Sequence, residues 1–407
     1  MLMEGRFSHR RRSILATIAL TIPGLLMSVA ADADWPQFRG PNLDGISSET
    51  AFKKEWTGPI PLVWQREVGP AFSSFACVGD RVFTAGTAAG RQVVYCLDAD
   101  SGKTIWQRAI EDAYQEPTGG DGPRATPTID GDRLYMLGAR GTLLCLNAES
   151  GSELWRQSFD HMPQWGYSGS VLVEGNLAVS SGGESDGALV AFDKMTGKQM
   201  WKTGDDPAGY ATPYPFDFEG KRYIVGFTGD SAIIVEATSG KLVYRQPWQT
   251  DWNVNAAAPI FHDGHLFLSS GYKTGAGLFK VKMDGGALAL DQVWKNRVLM
   301  NKFQSCILRD GKLYASDQKA LVCADFSTGE ELWRKPRLKH GTLVLADDHL
   351  LLLTQDGRLQ IAPVSPEGFK PTTDAEILND RCWTVPVLHR GRLYARNLNR
   401  IVCVDLR

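Results

Sequence analysis

The 407-residue chain carries 43% hydrophobic residues, 42 Gly, 20 Pro and 12 Trp, the composition of a globular, turn-rich protein able to bury a large core. A formal net charge of −2 with no basic block gives no electrostatic footprint for nucleic acid. No run of about 18 apolar residues stands outside the N-terminus, so no membrane-spanning helix is expected.

Residues 1–33 read as an export signal. His9-Arg10-Arg11-Arg12 is a positive n-region, Ile14 to Leu26 a short apolar h-region, and Ala31-Asp32-Ala33 a small-x-small cleavage site. Cleavage is expected before Asp34, with Asp32 as the alternative. Arg11-Arg12-Ser13-Ile14-Leu15 also approaches the twin-arginine pattern, so the general secretory and twin-arginine routes both stay open. Either one predicts a periplasmic or secreted protein. No Cys precedes Cys77, so neither a lipobox cysteine nor a lipid anchor is expected. Residues 34–60 read as an N-terminal extension, and 61–407 as one repeat-built domain, expected to be a monomer.

Pro61-Leu62-Val63-Trp64-Gln65 has the look of an outer strand with no repeat before it. An eleven-residue frame then recurs: a small or apolar residue, Asp, Glu or Asn at the third place, Ser or Thr at the sixth, Gly at the seventh, and Trp or Tyr at the eleventh. It fits Cys96 to Trp106, Cys145 to Trp155, Ala191 to Trp201, Ile234 to Tyr244 and Cys323 to Trp333. A period of roughly 40 to 50 residues means a ring or stack of equivalent units. Upstream of the frame, apolar runs flank a short turn, as in Thr128 to Tyr135, Pro259 to Phe267 and Val387 to Tyr394. Asp-Gly in such a turn is a hairpin signal, since both residues tolerate positive φ. The Gly of the frame supplies the left-handed position of a second hairpin. Two hairpins per repeat make a four-stranded antiparallel sheet, a propeller blade.

Outer strands at Trp64, Trp106, Trp155, Trp201, Tyr244, Trp294 and Trp333, and an eighth near Ile377-Leu378, give an all-β, eight-bladed β-propeller. The last repeat begins at Cys403-Val404-Asp405 and lacks an outer strand of its own, which Pro61 to Gln65 supplies, closing the ring. Degraded frames after Tyr244 and Trp333 leave seven blades as the alternative count.

Cys96, Cys145, Cys323 and Cys403 occupy the first place of the frame, where Ala191 and Ile234 stand in other repeats, so all four read as small core hydrophobes. Cys77, Cys306 and Cys382 lie near the inner strands, and a disulfide among them stays open. Trp106, Trp155, Trp201, Trp294 and Trp333 read as packing residues between blades.

The Ala-x-Asp-x-x-Thr-Gly-x-x-x-Trp frame resembles the tryptophan-docking motif of pyrroloquinoline-quinone-like (PQQ-like) propeller repeats, a superfamily that includes quinoprotein alcohol dehydrogenases and the assembly lipoprotein BamB. The opening Asp34-Trp35-Pro36-Gln37-Phe38-Arg39-Gly40-Pro41, with Gly122-Pro123-Arg124-Ala125-Thr126-Pro127, is similar to exported bacterial proteins of this kind. For a dehydrogenase the resemblance implies a vicinal Cys-Cys disulfide over the quinone, a Trp floor, a Ca²⁺ held by carboxylate and amide oxygens, and an Asp base. This sequence has no adjacent Cys pair and no Cys-x-x-Cys-His haem site. No cofactor is firmly predicted, and PQQ with calcium remains the alternative.

Polar and aromatic residues just before or within the innermost strands should converge on the mouth of the central channel. These are Arg124 and Thr126, Trp165 and Ser168, Tyr210 and Thr212, Asn253 and Asn255, Lys302 and Gln304, and Arg381 with Trp383. Arg124, Lys302 and Arg381 on one rim would favour an anionic ligand or an acidic partner segment. No catalytic residue and no metal ligand is assigned. The expected function is a non-catalytic binding or scaffold propeller for a protein or carbohydrate ligand. The alternatives are a quinone-dependent dehydrogenase of alcohols or sugars with a divergent site and a BamB-like outer-membrane assembly factor.

Overall fold

Two-residue turns set the architecture, and they come in two kinds. In the computed structural model, which describes residues 1–2, 34–317 and 319–407, the first hairpin of each repeat closes on a turn whose flanking residues pair directly. Gly79-Asp80, Gly131-Asp132 and Gly175-Asn176 put only the glycine at positive φ. Glu219-Gly220, Asp263-Gly264, Asp310-Gly311 and Arg390-Gly391 put both residues there, as does Asp347-Asp348. The first kind matches a type II′ turn and the second type I′, the two that suit strand twist. At Thr128 to Tyr135 the turn is therefore Gly131-Asp132 rather than Asp130-Gly131, because Asp130 pairs with Arg133 in the ladder.

The eleven-residue frame is the second hairpin. Its first and last residues face each other across the strands: Cys96 with Trp106, Cys145 with Trp155, Ala191 with Trp201, Ile234 with Tyr244, and Cys323 with Trp333. Asp98, Asn147, Asp193 and Asp325 at the third place accept the backbone N–H of Ser101, Ser150, Thr196 and Thr328 at 2.8 to 2.9 Å. These carboxylates and the amide are local turn-formers.

The hairpins assemble into eight sheets, spanning residues 76–112, 128–158, 172–203, 214–247, 260–296, 307–336, 342–376 and 387–405, hereafter blades 1 to 8. Leu62–Glu67 pairs antiparallel with Arg400–Asp405 as the outer strand of blade 8, with Trp64 opposite Cys403. The ring thus closes on eight blades as the sequence predicts. The outer strand of blade 7 is Thr373–Glu376, just before Ile377-Leu378. Among the described residues no helix is long and apolar enough to cross a membrane. The expected export signal beyond Leu2 lies outside the described residues.

Five of the eight junctions between blades place one ring on one glycine. A Cβ added at Gly102, Gly151, Gly197, Gly240 or Gly329 would fall 2.4 to 2.7 Å from the indole of Trp64, Trp106, Trp155, Trp201 or Trp294 on the preceding blade. Four of these indoles also donate Nε1–H to a carbonyl of the neighbouring turn, at Ala99, Ala148, Lys194 and Phe326, over 2.9 to 3.1 Å. Trp333 donates likewise to Ser365, whereas Trp201 Nε1 is buried without an acceptor. Between blades 4 and 5 the pattern changes: fully buried Trp248 takes the contact and donates to Ser270 Oγ at 3.0 Å.

All seven cysteines are buried free thiols, so the disulfide left open among Cys77, Cys306 and Cys382 is not formed. Burial pushes the Cys306 and Cys382 thiols up to about 12.

The N-terminal extension threads the channel at the face of the first-hairpin turns. Trp35 and Cys77 exchange backbone hydrogen bonds of 2.7 and 2.8 Å in blade 1, and Pro36 O accepts Ile129 N–H of blade 2. Arg39, 2% exposed, donates to Leu43 O, Asp44 O and Cys306 O, the last at the entry to blade 6. Ile46–Ser47 adds a fifth, parallel strand to blade 7, and Glu49 accepts the amides of Arg390 and Gly391 in blade 8. The strap therefore closes one end of the channel.

Adding a methyl group at Gly264 tests backbone strain alone, because its φ is 70° and nothing lies within 4 Å. Gly240 has nearly the same φ, 69°, but its Cβ would meet Trp201. In urea unfolding, Gly264→Ala is expected to cost about 1–2 kcal/mol and Gly240→Ala at least about 2 kcal/mol more. Equal losses would mean that the ring-on-glycine contact adds nothing.

Candidate functional site

Backbone amides and hydroxyls stitch the inner strands where the channel opens. Ser74 N–H donates to Thr126 Oγ1, Thr126 N–H to Ser170 Oγ, and Ser170 N–H to Thr212 Oγ1, at 2.9 to 3.1 Å, and Ala258 N–H repeats the contact with Ser305. Each hydroxyl has accepted from the neighbouring blade and keeps its own O–H for another acceptor. This belt holds the segments leading into the inner strands around a cavity of about 350 Å³.

Eight of the twelve residues expected at the channel mouth line this cavity: Arg124, Thr126, Trp165, Ser168, Tyr210, Thr212, Lys302 and Trp383. The other four lie elsewhere. Asn253 lines a second cavity of about 220 Å³. Asn255 is fully buried, and its amide is spent inside the protein: the NH₂ group donates to Thr228, Gly229 and Trp248 carbonyls, and its oxygen accepts from Ser270. Gln304 is buried with both amide atoms unpartnered. Arg381 braces the wall from behind, donating to Gly119 O at 2.6 Å and stacking 4.9 Å from the Trp383 ring. The cationic rim expected from three residues is thus two, Arg124 and Lys302.

Sequence reasoning missed part of the aromatic wall, Phe72, Tyr272 and Phe303, and the floor. Phe72 stacks on Trp383 at 5.8 Å, and Phe303 packs against Trp383 at 5.2 Å. Phe72 stands two residues before Ser74 as Tyr210 does before Thr212, an offset that could have found it. Phe38 of the strap reaches the cavity from the closed end, so the funnel is blind. No repeat pattern marks Phe38.

The electrostatics of the cavity are one-sided. Arg124 donates to Gly120 O and Gly122 O, both at 2.8 Å, and lies against the Phe72 and Tyr114 rings at 5.5 and 4.9 Å. Burial lowers its pKa, with Tyr114 and Glu116 pulling the other way. Glu116 stands behind the wall: burial pushes its carboxyl up, but hydrogen bonds from Thr118 and the amides of Gly119 and Gly120 outweigh this and hold it low. Lys302 has its pKa lowered by burial, lies 5.3 Å from the Tyr272 ring, and has no ion pair among the described residues. Burial raises the Tyr210 phenol to about 12, keeping its O–H available as a donor. Among the described residues no carboxylate lines the cavity.

These residues do not fit the calcium and the Asp base that the repeat resemblance implies for a dehydrogenase. Ca²⁺ requires six to eight oxygen ligands, chiefly carboxylate and amide. The walls offer no carboxylate, the Asn255 amide is already satisfied, and no metal-sized cluster of His, Cys, Asp or Glu exists among the described residues. An Asp base has no provider there either.

A family model described as outer membrane protein assembly factor BamB matches residues 90–335. BamB from Moraxella catarrhalis superimposes with a TM-score of 0.63 at 15% identity, over 85% of this chain and 99% of that one. The quinohemoprotein alcohol dehydrogenase of Comamonas testosteroni gives 0.68 at 12% identity, over 91% and 80%. A computationally designed protein, Ika8, gives 0.61 at 12%, over 85% and 99%. At such identities the likeness speaks for the fold. No curated protein matches the sequence.

His340 gives the site a pH signature. Its ring packs 5.0 Å from Phe303 and 5.3 Å from Trp383, and burial, then the charge of Lys302, lowers its pKa from 6.5 to about 4. As pH falls from 6.5 toward 4, the unfolded chain takes up a proton that the folded one refuses, so this stability is complete above 6.5 and is lost on acidification. His340→Phe is expected to lose about 1–2 kcal/mol less than the unsubstituted protein between pH 7 and pH 5 in urea unfolding. Parallel losses would refute a neutral His340.

Proposed function

The chain belongs to the propeller family described as outer membrane protein assembly factor BamB, and on that premise we propose that it is a non-catalytic recognition propeller whose blind funnel seats an anionic group of its ligand. The observation that carries this reading is the pairing of Arg124 and Lys302 in a cavity with no carboxylate. Lys302 is partly desolvated and has no ion pair among the described residues, and Arg124 has its nearest carboxylate, Glu116, behind the wall, so an anionic ligand would supply a counter-charge that the cavity itself does not. The hydroxyls of Thr126, Ser170 and Thr212 add neutral donors, and Phe72, Trp165, Phe303 and Trp383 offer flat walls to an unsaturated or ring-bearing ligand. With no carboxylate and no metal-binding set in the funnel among the described residues, recognition is the reading that the residues favour.

Naphthalene-2,6-dicarboxylate is a suitable first probe, titrated by isothermal calorimetry. Saturable binding is expected, weakened at least about tenfold by Arg124→Ala or Lys302→Ala and progressively by salt. Binding that ignores both substitutions, or none at millimolar probe, would overturn the anionic reading.

The proposal extends to compartment. The n-region, apolar h-region and cleavage site within residues 1–33 support export to the periplasm or beyond. N-terminal sequencing of protein recovered from the periplasmic fraction or medium is expected to begin at Asp34 or Asp32. An N-terminus at Met1, with the protein retained in the cytoplasm, would exclude it.

A further inference from the structure

The second cavity, of about 220 Å³, lies beside the funnel mouth and shares Tyr210 with it. Its walls include His161, Gln164, Glu184, Trp252 and Asn253. Three of these five, Glu184, Trp252 and Asn253, have positive φ of 48°, 68° and 57° without being glycine. Most other such residues in the blades serve the two-residue turns, where strain is a normal part of the hairpin. Here it is held by loops instead: Asp186 accepts the amides of Asp160 and His161 at 2.7 and 3.0 Å, and His161 Nδ1 lies 3.1 Å from Ser185 Oγ. Backbone strain held in place by its surroundings gathers at binding sites.

The strained segment holds a large ring out in solvent. Trp252 is 65% exposed, the most exposed aromatic among the buried and exposed groups of the ring, and stands edge-on to Trp165 at 6.4 Å. Trp165 in turn packs 6.1 Å from Tyr210, and both line the funnel. An aromatic surface therefore runs from rim to funnel. Around it stand the Glu184 carboxylate, which accepts, and the His161 imidazole and the Gln164 and Asn253 amides, which both donate and accept, with His161 Nε2 3.5 Å from Glu184 Oε2. Such a set does not suit an apolar protein anchor, which seeks a pocket without polar walls. It suits a pyranose, whose C–H face lies on an aromatic ring while its equatorial hydroxyls meet polar side chains.

We propose that the rim cavity is a pyranose subsite and that the ligand is an acidic oligosaccharide, its sugar ring on Trp252 and its anionic group in the funnel with Arg124 and Lys302. This rests on the anionic reading of the funnel for the charged end only. The rim subsite stands on its own residues.

The experiment compares four acidic or neutral sugars, trigalacturonate, trimannuronate, a hyaluronan tetrasaccharide and maltotriose, with naphthalene-2,6-dicarboxylate. Each is titrated by calorimetry against the full mature protein, Trp252→Ala, Trp252→Phe and Lys302→Ala. At least one acidic sugar is expected to bind more tightly than maltotriose. Trp252→Ala should weaken that sugar about tenfold while leaving the dicarboxylate within about twofold, and Trp252→Phe should restore most of the affinity. Lys302→Ala should weaken the acidic sugar and the dicarboxylate alike. No sugar bound, or sugar binding indifferent to Trp252→Ala, overturns the subsite even if the dicarboxylate binds. Failure of the dicarboxylate together with Trp252-dependent binding of maltotriose upholds the subsite and refutes the charged end. An acidic peptide that binds through Trp252 where the sugars do not would also overturn it.

Discussion

A tryptophan ring lying on a glycine of the next blade is the contact from which the rest of the molecule follows. The glycine must lack a Cβ because the indole fills that space, and it must adopt positive φ because it turns the second hairpin. One residue thus satisfies a local and a long-range demand. The indole buries a large apolar face and, at most junctions, donates its single N–H to the carbonyl beside the turn, so that neither partner's polar group is stranded. Repeated at five of the eight junctions, this contact sets the angle between those blades. That angle in turn brings the segments before each inner strand to a common mouth.

The channel would be an open pore without the strap. Arg39 is the costly element of that closure, a guanidinium with its pKa lowered by burial and only partly restored by Asp44. Its hydrogen bonds to three carbonyls hold a crossing that no hydrophobic contact alone would orient. With the strap's Phe38 as floor and a hydroxyl belt as wall, the mouth becomes a bounded cavity rather than a tube. Its charge is then decided by the two residues that enter from opposite arcs of the ring, Arg124 before blade 2 and Lys302 before blade 6.

Much of this was legible in the sequence because it repeats. Gly197 and Trp201 announce a hairpin and a junction in one stretch, and the incomplete last repeat at Cys403 predicts its partner at Trp64. The position of Arg124, Tyr210 and Lys302 ahead of inner strands also follows from the period. Features that occur once were not legible. Asn255 shares the offset of a channel residue, yet the altered junction around Trp248 draws its amide into the interior. Arg381 turns to the backbone of Gly119, a contact made across the gap between blades 8 and 2 that no local pattern encodes. Phe38 and Trp252 owe their places to a strap and a strained turn, whose paths depend on tertiary partners and not on propensity.

The meeting of residues 62–67 with 400–405, and of Glu49 with Gly391, has a consequence for how the molecule comes into being. Contacts between residues so far apart in the chain demand that a long loop be closed before any of their stabilisation is felt. Blades 1 to 7 can each pair internally as they leave the ribosome, but the partner of residues 62–67 and the seat of Glu49 exist only after the C-terminal strands are made. Until then residues 62–67 have no partner strand and stay open to pairing with other chains. Closing the circle is accordingly the step that carries the largest loop-closure cost, and a crowded cell has its chance to intervene there.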